Sequence, residues 1–449
     1  MAASTLAHIP YVPAIPGLGH TLEFLRDPIA LCARSRAAHG NVYRLNLLGK
    51  WRVILHGPEA VDFLLRDPER IFSSEEGNDV LHPIFTGGLA ARDLDDHRHH
   101  RRIMQSAFRH GAMLGYTAGL FEETEAVAGA LPTGQAFPFA LRIKEGLLRV
   151  GGRVLMGLDV DGPELVEMNR AFSEEVEGCI SIIRRPLPFT RMGRGMKARR
   201  LFEERLRALI PERRRTGGPD FFSQMCRAQD AEGGSWTDAE IFQHFNFLML
   251  AGHDTTASAL TTMVWGIAAG APEWQDRLTD EVARTRPALE AAHAAGDLEA
   301  MHAALADMKD TAQVFEEALR FRPPVPFVSR RARRETFWQG TKVPKGAYLS
   351  VPLAPVMLDS NVFEDPECFR PERFAAGAAS ASRKPPIFLA FGGGAHKCIG
   401  LHFSYTQARL GISALLSRYR ITVPEPNPDW TLMPITRPRD GLPVVLTQR

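Results

Sequence analysis

The chain predicts a mainly helical single domain with a small β-rich lobe, and three observations carry that reading. Thr237 and Glu240 make a capping box that opens a helical pattern running to about Ala269, where Gly270-Ala271-Pro272 stops it. Short strand-like runs lie near both ends, Val42 to Leu47 and Trp51 to His56 early, Ala347 to Val351 and Val444 to Leu446 late. No linker or repeat divides the 449 residues, so distant strands must meet in one unit.

In chain order, a proline-rich entry (Pro10, Pro13, Pro16) leads to a hairpin turning at Leu48-Gly49-Lys50. The β-rich lobe is expected from residues of about 1–70 and 325–365 plus the C-terminal strands, and the helical lobe from the remainder. Gly217-Gly218-Pro219 and Gly233-Gly234 bracket one short helix. The longest helix follows, roughly 33 residues and so about 50 Å, enough to cross a molecule of this size. Its centre, Phe245 to Ala251, is almost wholly apolar, so the helix must be buried and can line a site.

Composition excludes several classes. With 54 Lys plus Arg against 52 Asp plus Glu, no global field recruits nucleic acid. Cys32, Cys179, Cys226, Cys368 and Cys398 are odd in number and lack CxxC spacing, which fits a reducing cytoplasm and no zinc site. Met1 to His20 holds no apolar run of about 7–15 residues, so neither signal peptide nor membrane anchor is expected. A soluble protein follows.

Cys398 is set in Phe391-Gly392-Gly393-Gly394-Ala395-His396-Lys397-Cys398-Ile399-Gly400. A thiol after a glycine-dense turn, at the start of a helix, meets backbone N–H donors and a positive helix end, and both favour thiolate. A lone buried Cys is the plain alternative, and a phosphate loop is excluded because Lys397 lacks the preceding Gly and following Ser or Thr. The run resembles the haem-binding signature of the cytochrome P450 family, matched at Phe391, Gly394, His396, Cys398 and Gly400. By that resemblance Cys398 is the axial ligand of a haem b iron, and residue 396 donates to a haem propionate. Arg is commoner there, so His396 is expected to make a weaker or pH-dependent contact.

Further motifs join the resemblance. Ala251-Gly252-His253-Asp254-Thr255-Thr256 breaks the apolar pattern of the long helix, where Gly costs about 1 kcal/mol and Asp is unwelcome. Ala251 and Gly252 leave room for a diatomic ligand, Thr255 can hydrogen-bond it or hold a water beside it, and Asp254 can relay protons; His253 reads as structural. Glu317 and Arg320 share a helix face and, with Arg373 in Phe369-Arg370-Pro371-Glu372-Arg373-Phe374, match the family's Glu-x-x-Arg and Pro-x-Arg-Phe elements, implying a buried charge network. In Asp96-His97-Arg98-His99-His100-Arg101-Arg102 the spacing disfavours zinc, and resemblance assigns His97 and Arg101 to the haem propionates.

Ile84, Phe85, Phe247, Val325 and Phe327 are family-like pocket positions that could equally be core, and together they imply a greasy substrate. Ile180 to Phe189, with Arg184 and Arg185, is expected to form a mobile lid. The resemblance implies a monomeric monooxygenase that inserts one atom of O2 into a hydrophobic terpenoid, sterol or fatty-acid-like molecule, with electrons from a separate ferredoxin and ferredoxin reductase. Arg98, Arg102, Lys397 and Arg409 are candidates for a local basic docking patch. Rival classes are a peroxide-driven peroxygenase and a non-catalytic haem sensor.

Overall fold

The computed structural model describes residues 3–159, 163–179, 181, 183–229, 233–376 and 388–449. Strands Val42–Leu47 and Lys50–Leu55 pair in register from Val42↔Leu55 to Leu47↔Lys50. Leu48 and Gly49 make the turn with φ of 52° and 77°, the left-handed pair that a two-residue hairpin needs. Strand Tyr348–Pro352 lies parallel to Lys50–Leu55, then Phe327–Ala332 pairs antiparallel with it, and Phe72–Ser73 closes the edge. The expected β-rich lobe thus forms from sequence-distant ends.

The C-terminal strand departs from expectation. Pro443–Gln448 pairs with Phe137–Pro138 and Tyr419–Thr422, and not with the N-terminal hairpin. The reason lies in its apolar face: Val444 and Leu446 are both wholly buried and pack with Phe137, Tyr419 and Ile421 into the helical core. A strand goes where its covered face can be covered.

The central helix, Asp238–Trp265, starts at the expected cap, with the Thr237 N–H donating to Glu240 Oε2 at 2.9 Å and the Glu240 N–H donating back to Thr237 Oγ1. Every residue from Thr256 to Ile267 is buried. At Gly266 a side chain would collide with the Phe369 ring, which explains glycine inside so regular an element. Among the described residues no helix is long and apolar enough to cross a membrane.

Two further helices, Pro163–Cys179 and Arg191–Thr216, cross at paired glycines. A Cβ at Gly178 would lie 2.9 Å from Gly195 Cα and 2.8 Å from Ile84 Cδ1. Ile84 and Phe85 are consequently sealed into this crossing, at 0% and 1% exposure. Glu175 of the first helix accepts from Asn246 Nδ2 of the central helix at 2.8 Å.

Helix Lys309–Phe321 carries the Glu317–Arg320 pair, fully buried, with Arg320 Nε 2.7 Å from Glu317 Oε2 and Nη2 2.8 Å from Oε1. The remaining Arg320 protons reach the carbonyls of Met357, Pro366 and Cys368 at 2.9, 2.9 and 3.2 Å. Glu317 Oε1 also accepts from the Arg370 N–H at 2.7 Å and lies 3.5 Å from Arg373 Nε. The three residues singled out from sequence therefore meet at one point. Removing one partner would strand a buried charge at a cost of roughly 3–5 kcal/mol.

Burial pushes the Glu175 carboxyl from 4.5 up to about 8. The unfolded chain therefore ionises first, and stability should fall as pH rises from about 4.5 to 8 by up to roughly 1.4 kcal/mol per unit. Glu175→Gln keeps the hydrogen-bond partner for Asn246 and should flatten that decline, read as thermal midpoints at pH 5 and pH 8. A variant with the wild-type slope would show that another group sets it.

Candidate active site

The loop from Phe391 to Gly400 is shaped by two demands. Gly392 and Gly394 adopt φ of 66° and 62°, and a side chain at Gly394 would collide with the Leu65 carbonyl, so only glycine serves there. The Cys398 N–H donates to the Phe391 carbonyl at 2.9 Å and closes the loop. The Phe391 ring stacks on Tyr405 at 6.0 Å, anchoring the loop to helix Leu401–Leu416, which packs on the central helix.

The Cys398 side chain is accessible, whereas Cys32, Cys179 and Cys226 are buried and their thiols are pushed up to about 12, 11 and 12. The backbone N–H donor that the sequence argument invoked is present, and burial opposes it. Surrounding protein desolvates Cys398 and moves its thiol upward, while the Gly400 N–H, Arg101 and Lys397 act in the opposite direction. The net shift is upward, the largest contribution being desolvation.

Beside Cys398 lies a cluster of donors. The His97 and His396 rings are 4.0 Å apart. Burial and then Arg101 lower His97 to about 4; burial, Arg330, His97 and Arg101 lower His396 to about 2. Both imidazoles are therefore neutral at ordinary pH in these protein surroundings. His97 Nε2 is buried without a partner. The carboxylate one helical turn before His97, Asp93, is already engaged by Ser73 Oγ at 2.5 Å, the Ser74 N–H at 2.7 Å and Arg333 at 2.6 Å. Two guanidiniums and two neutral imidazoles, one of them unsatisfied, fit a ligand that brings carboxylates.

Across the central helix the fit continues. Ala251 and Gly252 are exposed in mid-helix, and nothing lies within 4 Å of a Cβ built on Gly252. Thr255 donates to the Ala251 carbonyl at 2.6 Å, which leaves its oxygen free to accept. Asp254 Oδ1 lies 2.7 Å from Lys144 Nζ and 3.1 Å from His253 Nδ1. Burial would raise this carboxyl, but the His253 and Lys144 interactions outweigh it and hold it well below the usual carboxylate range.

Of the pocket positions, Val325 is 41% exposed and Phe247 and Phe327 are half-buried, Phe247 against Gly88 and Phe327 with its ring 5.0 Å from Phe24. Ile84 and Phe85 hold helices together and offer no open surface. The lid segment is only partly described, since residues 180 and 182 fall outside the described set; Ile183 and Phe189 are exposed, and Arg184 donates to the Cys179 and Val80 carbonyls. Sequence reasoning missed Arg330 and Lys144. Arg330 is 6% exposed on a strand, a buried charge that alternation along Phe327–Ala332 hints at. Lys144 has no such signal, being 110 residues from Asp254.

The cytochrome P450 family pattern matches residues 9–441. A putative cytochrome P450 136 of Mycobacterium tuberculosis is 31% identical over 443 residues, covering 97% of this chain and 87% of that protein. The cyclooctat-9-en-7-ol 5-monooxygenase of Streptomyces melanosporofaciens is 28% identical over 93% of this chain and 90% of its own length. Among solved structures, the retinoic acid-bound cyanobacterial CYP120A1 superposes with a TM-score of 0.83 at 25% identity, covering 98% of this chain and all of that one. Sequence pattern, relatives and fold agree over nearly the full length: this chain belongs to the cytochrome P450 family of haem-binding monooxygenases.

Proposed function

We propose that the protein inserts one oxygen atom of O2 into a terpenoid-like hydrophobic molecule, with electrons supplied by a separate ferredoxin and ferredoxin reductase. The observation that carries this reading is the exposed mid-helix pair Ala251 and Gly252, flanked by the half-buried apolar residues Phe247, Leu248 and Leu250 and followed within one turn by Asp254 and Thr255. Relatives named for cyclooctat-9-en-7-ol and pentalenene support the substrate class, and the retinoic acid bound to CYP120A1 is another predominantly apolar molecule. Five free cysteines support a reducing cytoplasm.

Haem, when bound, supplies the O–O cleavage that thiolate donation promotes. Cys398 would hold its iron, and His97, Arg101, Arg330 and His396 would hold its carboxylates. Phe247, Val325 and Phe327 orient an apolar substrate and exclude water. With its own proton committed to the Ala251 carbonyl, Thr255 accepts from a water and fixes it, while the ionised Asp254 relays a proton toward that water. A sensor needs neither group, which separates the readings.

Electron delivery would use the exposed Arg102 and Lys397. Two members of the expected patch are weakened: Arg98 is paired with Asp95 at 2.7 Å, and Arg409 is partly buried against the Tyr405 ring. Steering by so small a patch acts on association rate and is screened over about 8 Å at physiological salt.

Reduced protein with CO should show the red-shifted Soret band of thiolate ligation, and Cys398→Ser should abolish it; a serine variant that keeps the band would end the assignment. Thr255→Ala should leave substrate affinity within about threefold while product per electron falls roughly fivefold, the equivalent of one hydrogen bond of about 1 kcal/mol, with peroxide rising in step. Unchanged coupling would favour the sensor or peroxygenase reading. The rate of reduction at limiting ferredoxin should fall with added salt and fall further in Arg102→Glu. A salt-independent rate would point to an apolar or flavoprotein donor.

A further inference from the structure

His253, structural by sequence reasoning, has a ring bracketed by two oxygen acceptors. Its Nε2 lies 2.9 Å from the main-chain carbonyl of Lys144, and its Nδ1 lies 3.1 Å from Asp254 Oδ1. A carbonyl has no proton to give, so Nε2 must carry one. Lys144 Nζ, at 2.7 Å from the same Oδ1, keeps the Asp254 carboxylate ionised, so Nδ1 also faces an oxygen that calls for a proton. A neutral ring satisfies one acceptor and turns a lone pair on the other. The arrangement is built for one more proton than neutral histidine holds.

Exposure grades along the same line. The side chains of Lys144, Asp254 and His253 are 40%, 16% and 4% exposed, so the path runs from solvent to a sealed ring. Nδ1 has no well-directed hydrogen bond, so a small turn of the carboxylate decides whether the proton is shared. The other helix against this ring presents Phe172, edge-on at 6.0 Å. One turn on along the same face of that helix is Glu175, neutral below about pH 8 through burial, while Glu174 faces Arg170 at 3.6 Å, so the charges beside the ring are those of Lys144 and Asp254.

Resting on the reading of Asp254 and Thr255 given above, we propose that His253 is the positioning residue that stores the proton Asp254 delivers. The Nδ1–H bond breaks as an Oδ1–H bond forms, and the ring is left neutral with Nε2–H still on the Lys144 carbonyl. Asp254 then turns its acid proton toward the water held by Thr255. Bulk solvent returns one proton to Nδ1 past the half-exposed Lys144 side chain. No electrons leave the pair, and one proton enters for each one delivered.

Two measurements on the haem-loaded protein test this. With histidine labelled by nitrogen-15, both ring nitrogens of His253 should resonate as imidazolium at pH 6.5, and Asp254→Asn should lower that imidazolium fraction at least fivefold. His253→Gln keeps a donor for the Lys144 carbonyl but no labile proton. It should lower product per electron threefold to tenfold, flatten the pH profile of coupling between pH 6 and 8, and add nothing further in the double variant with Asp254→Asn. A ring that is neutral at pH 6.5 and insensitive to Asp254→Asn overturns the proposal, as does His253→Gln with wild-type coupling and pH profile. If His253→Gln fails to fold, the labelled wild type and Asp254→Asn decide alone. Normal coupling in Asp254→Asn would instead remove the relay reading itself.

Discussion

A 28-residue helix that is apolar on nearly every side must be enclosed, and the rest of this molecule is arranged to enclose Asp238–Trp265. Helices Phe139–Val150, Lys309–Phe321 and Leu401–Leu416 pack along it, with Pro163–Cys179 bonded to it through Glu175. Burial of such a helix is favourable at roughly 25 cal/mol per Å² of apolar surface, which is why the few polar residues tolerated in it need specific partners. Asp254 has Lys144 and His253; Asn246 has Glu175.

The Cys398 side of the molecule is governed by desolvation opposing charge. Burial, seconded by Arg101 and Arg330, lowers the His97 and His396 imidazoles, and the two arginines themselves lie in surroundings that depress their basicity. The same desolvation lifts the Cys398 thiol. A ligand carrying a cation and two carboxylates would relieve all of these penalties together, which a neutral or purely anionic ligand would not.

Geometric precision comes from buried polar contacts more than from the apolar core. Arg320 fixes three carbonyls drawn from Met357 to Cys368, and Glu317 fixes the Arg370 N–H, so a single residue pair sets the course of a long irregular stretch. Apolar packing is tolerant of small shifts, whereas a buried guanidinium whose five protons are spoken for is not.

Local chemistry made much of this legible in sequence. The Thr237 capping box, the Leu48-Gly49 turn and the Gly392/Gly394 loop depend on neighbours a few residues away, and each formed where those neighbours called for it. The motif residues around Cys398 and Asp254 stood out because their types at those spacings have few other uses, whereas the Glu317–Arg320 spacing is common and drew weight only from the Phe369 to Phe374 element that follows it in order. Tertiary structure alone decided the rest. It sent Val444 and Leu446 to the helical core, sealed Ile84 and Phe85 between crossing helices, and brought Arg330 to His396 and Lys144 to Asp254 across long sequence separations. Pairings of that kind depend on which faces remain to be covered once the central helix is enclosed, and no local pattern carries that information.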